Sequence, residues 1–96
     1  MADFQIAFTS AAEQELADAV KWYEQQQPGL GKRFLHRIDR ALIRLAKNPY
    51  LYQERRKGLR AMPLPPFPYL IIYDIRETDH IITVYVVHHT RRRPKW

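Results

Sequence analysis

The chain has 96 residues, 46% of them hydrophobic, with no cysteine and a net charge of +6. That length supports one compact core and excludes two, the missing cysteine excludes a disulfide framework or a thiolate metal site, and the cationic excess favours an acidic partner without choosing between nucleic acid and protein. No apolar run approaches the ~20 residues that cross a bilayer, and the N-terminus lacks the basic-then-apolar pattern of a leader, so a single cytoplasmic domain over 1–96 is expected.

Residues 3–9 alternate Phe4, Ile6 and Phe8 with Gln5, Ala7 and Thr9, the period of a strand with one buried face. Ser10-Ala11-Ala12-Glu13 then has the spacing of a capping box, with Ser10 as N-cap. Ala12, Leu16, Ala19, Val20 and Tyr23 form the apolar stripe of a first helix, while Glu15, Asp18 and Lys21 face elsewhere. Pro28-Gly29 ends this helix near Gln27. A second carries Leu30, Phe34, Ile38, Ala41, Leu42 and Leu45 on one face and stops at Asn48-Pro49. The short connection makes the pair an antiparallel hairpin.

The opposite face of the second helix holds Lys32, Arg33, Arg37, Arg40, Arg44 and Lys47, either a solvated face or an electrostatic contact surface. His36 lies on the same side, with no second ligand at helical spacing, and reads as a surface residue. Charge is uneven along the chain. Residues 1–27 hold five carboxylates and one lysine, a net of −4, which leaves +10 for the rest.

Residues 49–66 are irregular, with a wet turn at Glu54-Arg55-Arg56-Lys57-Gly58 and a short strand near Leu59 to Met62, limited by Pro63, Pro65 and Pro66. In the strand from Phe67 to Arg76, Phe67, Tyr69, Ile71, Tyr73 and Ile75 share one face; Leu70, Ile72, Asp74 and Arg76 share the other. Both faces are largely apolar, as in a central strand. Glu77-Thr78-Asp79 turns into an antiparallel partner in which Ile82, Val84 and Val86 suit the helix-covered core and Thr83 and Tyr85 the open face. Alternation puts His88 and His89 on opposite faces. The class is α+β: an N-terminal strand, a helical hairpin, and a three-stranded antiparallel segment that completes one mostly antiparallel sheet (β-α-α-β-β-β).

This order of elements resembles the RelE/ParE toxin superfamily, ParE-like branch. The resemblance is carried by Pro28-Gly29-Leu30-Gly31, Asn48-Pro49, the strand from Phe67-Pro68-Tyr69 to Tyr73, and the ending Val87-His88 with Arg93-Pro94-Lys95-Trp96. It implies the toxin of a bacterial type II toxin–antitoxin module, bound in a hetero-oligomer by a cognate antitoxin and needing no cofactor, metal or membrane. ParE-like members poison DNA gyrase; RelE-like members cleave mRNA on the ribosome, using basic groups to stabilise phosphate and an acid–base group to activate the 2′-hydroxyl. RelE-type nucleases have an arginine after the first tyrosine of the Tyr-x-x-x-Tyr strand, where this chain has Leu70, and Trp96 stands where a terminal tyrosine would. Gyrase binding is therefore the expected activity.

The antitoxin- and target-binding surface implied by this reading comprises Arg37, Arg40, Arg44, Arg60, Tyr85, His89, Arg91, Arg92, Arg93 and Trp96. Were the chain an endoribonuclease, Arg60, Arg76, His88 and Arg91 would form its site, His88 serving in proton transfer. A small basic nucleic-acid-binding domain is the third reading; it has the charge but no evident reading helix or aromatic platform. Trp96, following Pro94, is expected to dock on the domain and hold the preceding arginines at its surface.

Overall fold

The computed structural model describes residues 3–94 and Trp96; Lys95 of the basic tail lies outside the described residues. The elements run β1 (Gln5–Phe8), α1 (Ser10–Gln26), α2 (Leu30–Lys47), a 3-10 turn (Pro49–Leu51), β2 (Glu54–Arg56), β3 (Leu59–Leu64), β4 (Phe67–Arg76) and β5 (Ile81–His89). They build one five-stranded sheet of order β1-β5-β4-β3-β2. All neighbours are antiparallel except β1 and β5, which are parallel from Gln5↔Ile81 to Phe8↔Val84. A parallel pair needs a crossover, and here the helical hairpin belongs to it, covering one face of the sheet.

The expected apolar stripes of both helices meet the β4 face of Phe67, Tyr69, Ile71, Tyr73 and Ile75 in a single core; alternation separates the two faces of this strand without saying which is inner. Tyr23, Phe34, Phe67 and Tyr69 pack there with ring centroids 4.9–6.2 Å apart, fixing the start of β4 beneath the hairpin. At the other end the buried Tyr73 hydroxyl donates to the Pro49 carbonyl at 2.7 Å. Burial pushes its phenol up to about 12, so it remains a neutral donor at every physiological pH.

The hairpin bend depends on Gly29, which sits at φ 89°, a conformation open to glycine at little steric cost. The Glu24 carboxylate accepts from the Gly29 and Gly31 amides at 2.9 and 3.1 Å, capping α2 from the preceding helix. At Gly31 the two helices approach so closely that a Cβ would lie 2.6 Å from the Val20 carbonyl oxygen.

Four local expectations need correction. The N-cap of α1 is Thr9, not Ser10: Thr9 remains extended because its amide bonds the Val84 carbonyl, and this leaves its hydroxyl to accept from the Ala12 amide at 3.1 Å. Glu54–Arg56 is a strand, paired to β3 across a tight turn in which Lys57 and Gly58 have φ of 50° and 79°. Val86 leaves the core to Val87. The cause is a β-bulge: Ile72 pairs with Val86 but Tyr73 with Val84, so Tyr85 is the extra residue and the alternation changes phase. Finally, Glu15 turns toward the sheet, its carboxylate accepting from the Val87 amide at 2.9 Å where β5 runs on past the end of β1.

Candidate functional site

The cationic residues fall into distinct settings. On α2, Lys32, Arg33, Arg37, Arg40 and Arg44 line a groove floored by Pro66 and Phe67 at the start of β4. Arg37 is anchored, its Nε–H donating to the Pro65 carbonyl at 2.8 Å. His36 joins this lining, an address its surface reading did not specify.

The tail leaves β5 through a tight turn. Thr90 N–H donates to the Pro68 carbonyl at 2.8 Å, Arg92 N–H to the His89 carbonyl at 3.0 Å, and Arg91 N–H to His89 Nδ1 at 3.1 Å. The last bond requires an unprotonated Nδ1, which puts the proton of the neutral ring on Nε2. Burial lowers the His89 pKa, and Arg92, Arg91 and His88 lower it further. His89 packs edge-on to Tyr69 with centroids 5.1 Å apart, on the helix side. Arg91 and Arg92 line a second cleft there with Glu15, Asp18 and Trp22; Arg93 is exposed.

The chain then returns across the other side of the sheet. The indole of Trp96 meets the His88 ring edge-on with centroids 5.9 Å apart, while its carbonyl oxygen accepts from Arg56 Nη1 of β2 at 3.0 Å. Trp96 therefore bridges β5 and β2 over the face that the helices leave uncovered. Its Nε1 is buried without a hydrogen-bond partner among the described residues. On the same face the Tyr85 hydroxyl donates to Asp74 Oδ2 at 3.0 Å, leaving Asp74 Oδ1 buried and without a partner among the described residues. Burial, then the hydrogen bond to Asp74, raises the Tyr85 pKa.

The four residues of the nuclease expectation are spread apart. Arg60 pairs with Tyr73 on the helix side, donates to the Tyr52 carbonyl through Nη1 at 2.6 Å and lies 5.5 Å from the Tyr50 ring centroid. It braces the segment after α2. Arg76 is exposed at the other end of β4, 3.6 Å from Asp79. His88 pairs with Leu70, six residues back along β4 from Arg76, a separation of about 20 Å at ~3.3 Å per residue. Arg91 lies in the α1 cleft. Sequence reasoning passed over Arg56 and Trp22; Trp22 had a signal, an aromatic off the apolar stripe of its helix. Among the described residues no three His, Asp or Glu gather as a metal site, and no helix is long and apolar enough to cross a membrane.

The family described as ParE toxin of type II toxin-antitoxin system, parDE, matches residues 6–94. No curated protein sequence matches the chain. Among solved structures, the chromosomal ParDE TA system from P. aeruginosa superposes with a TM-score of 0.76 at 14% identity, covering 92% of this chain and 97% of that one. The intact E. coli RelBE toxin-antitoxin complex gives 0.72 at 15% identity, covering 93% and 99%. The RelBE2 complex from Mycobacterium tuberculosis gives 0.53 at 18%, covering 93% of each chain. At such identities these likenesses speak to the fold.

Proposed function

From the premise that the chain belongs to the ParE toxin family of type II toxin–antitoxin systems, we propose that it acts in the cytoplasm by binding DNA gyrase, without cutting RNA, and is neutralised by a cognate antitoxin in a hetero-oligomer. The observation that carries the choice against nuclease chemistry is the dispersal of Arg60, Arg76, His88 and Arg91 over both faces and both ends of the sheet. Phosphoryl transfer needs its cationic and acid–base groups around one reacting phosphate, and Leu70 supplies no charge beside His88. The surface assigned to partners comprises Arg37, Arg40 and Arg44 on α2 and the tail from His89 to Arg93; Arg60, already bonded within the domain, is set aside.

A RelE-type endoribonuclease is the second reading, favoured by one observation: Arg56 and His88 both contact Trp96, so a guanidinium and an imidazole share the open face. Two assays separate the readings. Purified chain should inhibit gyrase supercoiling and leave mRNA on translating ribosomes intact. Codon-positioned cleavage that His88→Ala abolishes, with supercoiling unaffected, would promote the nuclease. Co-expression with the protein of the adjacent reading frame should yield a complex stable at moderate salt; failure to co-purify would remove the antitoxin partner.

A further inference from the structure

We propose that the groove between α2 and the start of β4 is a binding site for an acidic protein segment carrying an apolar anchor, and that the cognate antitoxin supplies this segment. The source rests on the antitoxin reading above; the chemistry of the groove stands apart from it.

Five cationic side chains, Lys32, Arg33, Arg37, Arg40 and Arg44, line one concavity of about 600 Å³. None forms an ion pair with a carboxylate among the described residues. Glu24, which reaches Gly29 at one end of the groove, has both carboxylate oxygens engaged by backbone amides. Like charges on successive turns of one helix repel one another, so the free domain carries an electrostatic cost that a bound anion removes. Arg37 is held in place by the Pro65 carbonyl through Nε alone, which leaves the four N–H donors of its two terminal nitrogens for a planar acceptor such as carboxylate.

The floor selects the kind of anion. Pro66 is exposed and Phe67 half-buried, and neither offers a side-chain hydrogen bond. A sugar–phosphate backbone gains nothing by covering them, and Phe67 is already packed edge-on against Tyr23 and Phe34, hence no platform for a base. A peptide with an apolar side chain between carboxylates satisfies both parts, burying the anchor on the floor and pairing its acids with the rim. From Arg33 to Arg44 the cationic row extends about 16 Å at ~1.5 Å per residue, a length that ~11 helical or ~5 extended residues would match.

The test uses the full chain and three fluorescent probes: a peptide of about twelve residues with leucines spaced among glutamates, the same peptide with serine for leucine, and an oligothymidylate of equal charge. The leucine peptide should bind at least about tenfold more tightly than the serine peptide and than the oligonucleotide, and Arg33→Glu/Arg40→Glu should weaken it by at least about tenfold. Both substituted positions are exposed, and a thermal melt verifies folding; Arg55→Ser controls for loss of charge elsewhere. Equal binding of the two peptides, or no effect of the double reversal, overturns the proposal. Tightest binding by the oligonucleotide, lost on reversal, makes the groove a nucleic-acid site instead. The double variant is also co-expressed with the neighbouring protein. A complex that forms undiminished removes the antitoxin from the groove while leaving the toxin–antitoxin reading intact, whereas peptide binding as expected without any co-purifying neighbour retains the groove and removes the antitoxin as its occupant.

Discussion

At the level of single residues, His89 makes the sheet's end sensitive to acid. Its folded pKa lies below the ordinary 6.5, so below that pH the unfolded chain binds more protons than the folded one. Stability is therefore complete above 6.5 and declines as pH falls through the window beneath it. Urea midpoints at about pH 7.5 and about pH 5.5 should show this decline, and His89→Phe, which keeps a ring against Tyr69, should flatten it. Trp96 makes a separate prediction because its indole N–H is buried without a partner among the described residues. Trp96→Phe removes an unsatisfied donor and should leave stability unchanged or raised, whereas Trp96→Ala should lower it by about 1–2 kcal/mol, read by denaturant titration. Gly31→Ala should cost about 1–3 kcal/mol, since the added methyl meets the backbone of α1, which cannot swing aside as a side chain would. Equal melting curves for Gly31→Ala and the parent would refute that tight helix contact.

Among the elements, legibility followed the simplicity of the environment. The stripes of both helices and the grouping of Phe67, Tyr69, Ile71, Tyr73 and Ile75 on one face of β4 were readable because each set faces one apolar layer throughout, although which face of β4 is inner was not, since both are largely apolar. β5 was readable only as far as Val84. Beyond it the bulge at Tyr85 shifts the inward set from Val86 to Val87, and a bulge is specified by pairing with another strand, which local alternation does not contain. β2 escaped notice because Glu54, Arg55 and Arg56 are all exposed. The position of Arg60 was equally hidden: its charge on the helix side is received by the Tyr52 carbonyl, eight residues earlier, and by the Tyr50 ring. The Glu15 carboxylate likewise meets an amide that β1 is too short to reach. Replacing it with alanine should strip the Val87 amide of its acceptor, costing about 1–3 kcal/mol, and should accelerate hydrogen exchange at Val87 well before that of Val84.

For the molecule as a whole, the two faces of the sheet have different occupants: the helices cover one, and the returning tail reaches over the other. Deleting Pro94 to Trp96 should uncover His88 and release Arg56, and on the proposed function it should weaken growth inhibition. A truncated chain of full stability and full potency would mean that the contact over the sheet has no part in either. The candidate site was legible as a supply of cations but not as an arrangement, because the fold directs Arg60 inward, Arg91 toward α1 and Arg37 across to the Pro65 carbonyl.

The parallel pairing of β1 with β5 also has a consequence in time. Thr9, which joins the first strand to the first helix, bonds a strand 76 residues further along, so the ribosome delivers the partner of β1 only after both helices and β2 to β4. Until Ile81 to Val84 emerge, the opening strand has no neighbour and the helical hairpin can cover only a partial sheet. Contacts of such long sequence separation close slowly, and a nascent chain awaiting them exposes apolar surface to chaperones and proteases. A message cut or terminated before β5 would thus yield a chain marked for degradation, making synthesis through β5 a condition for the sheet to close.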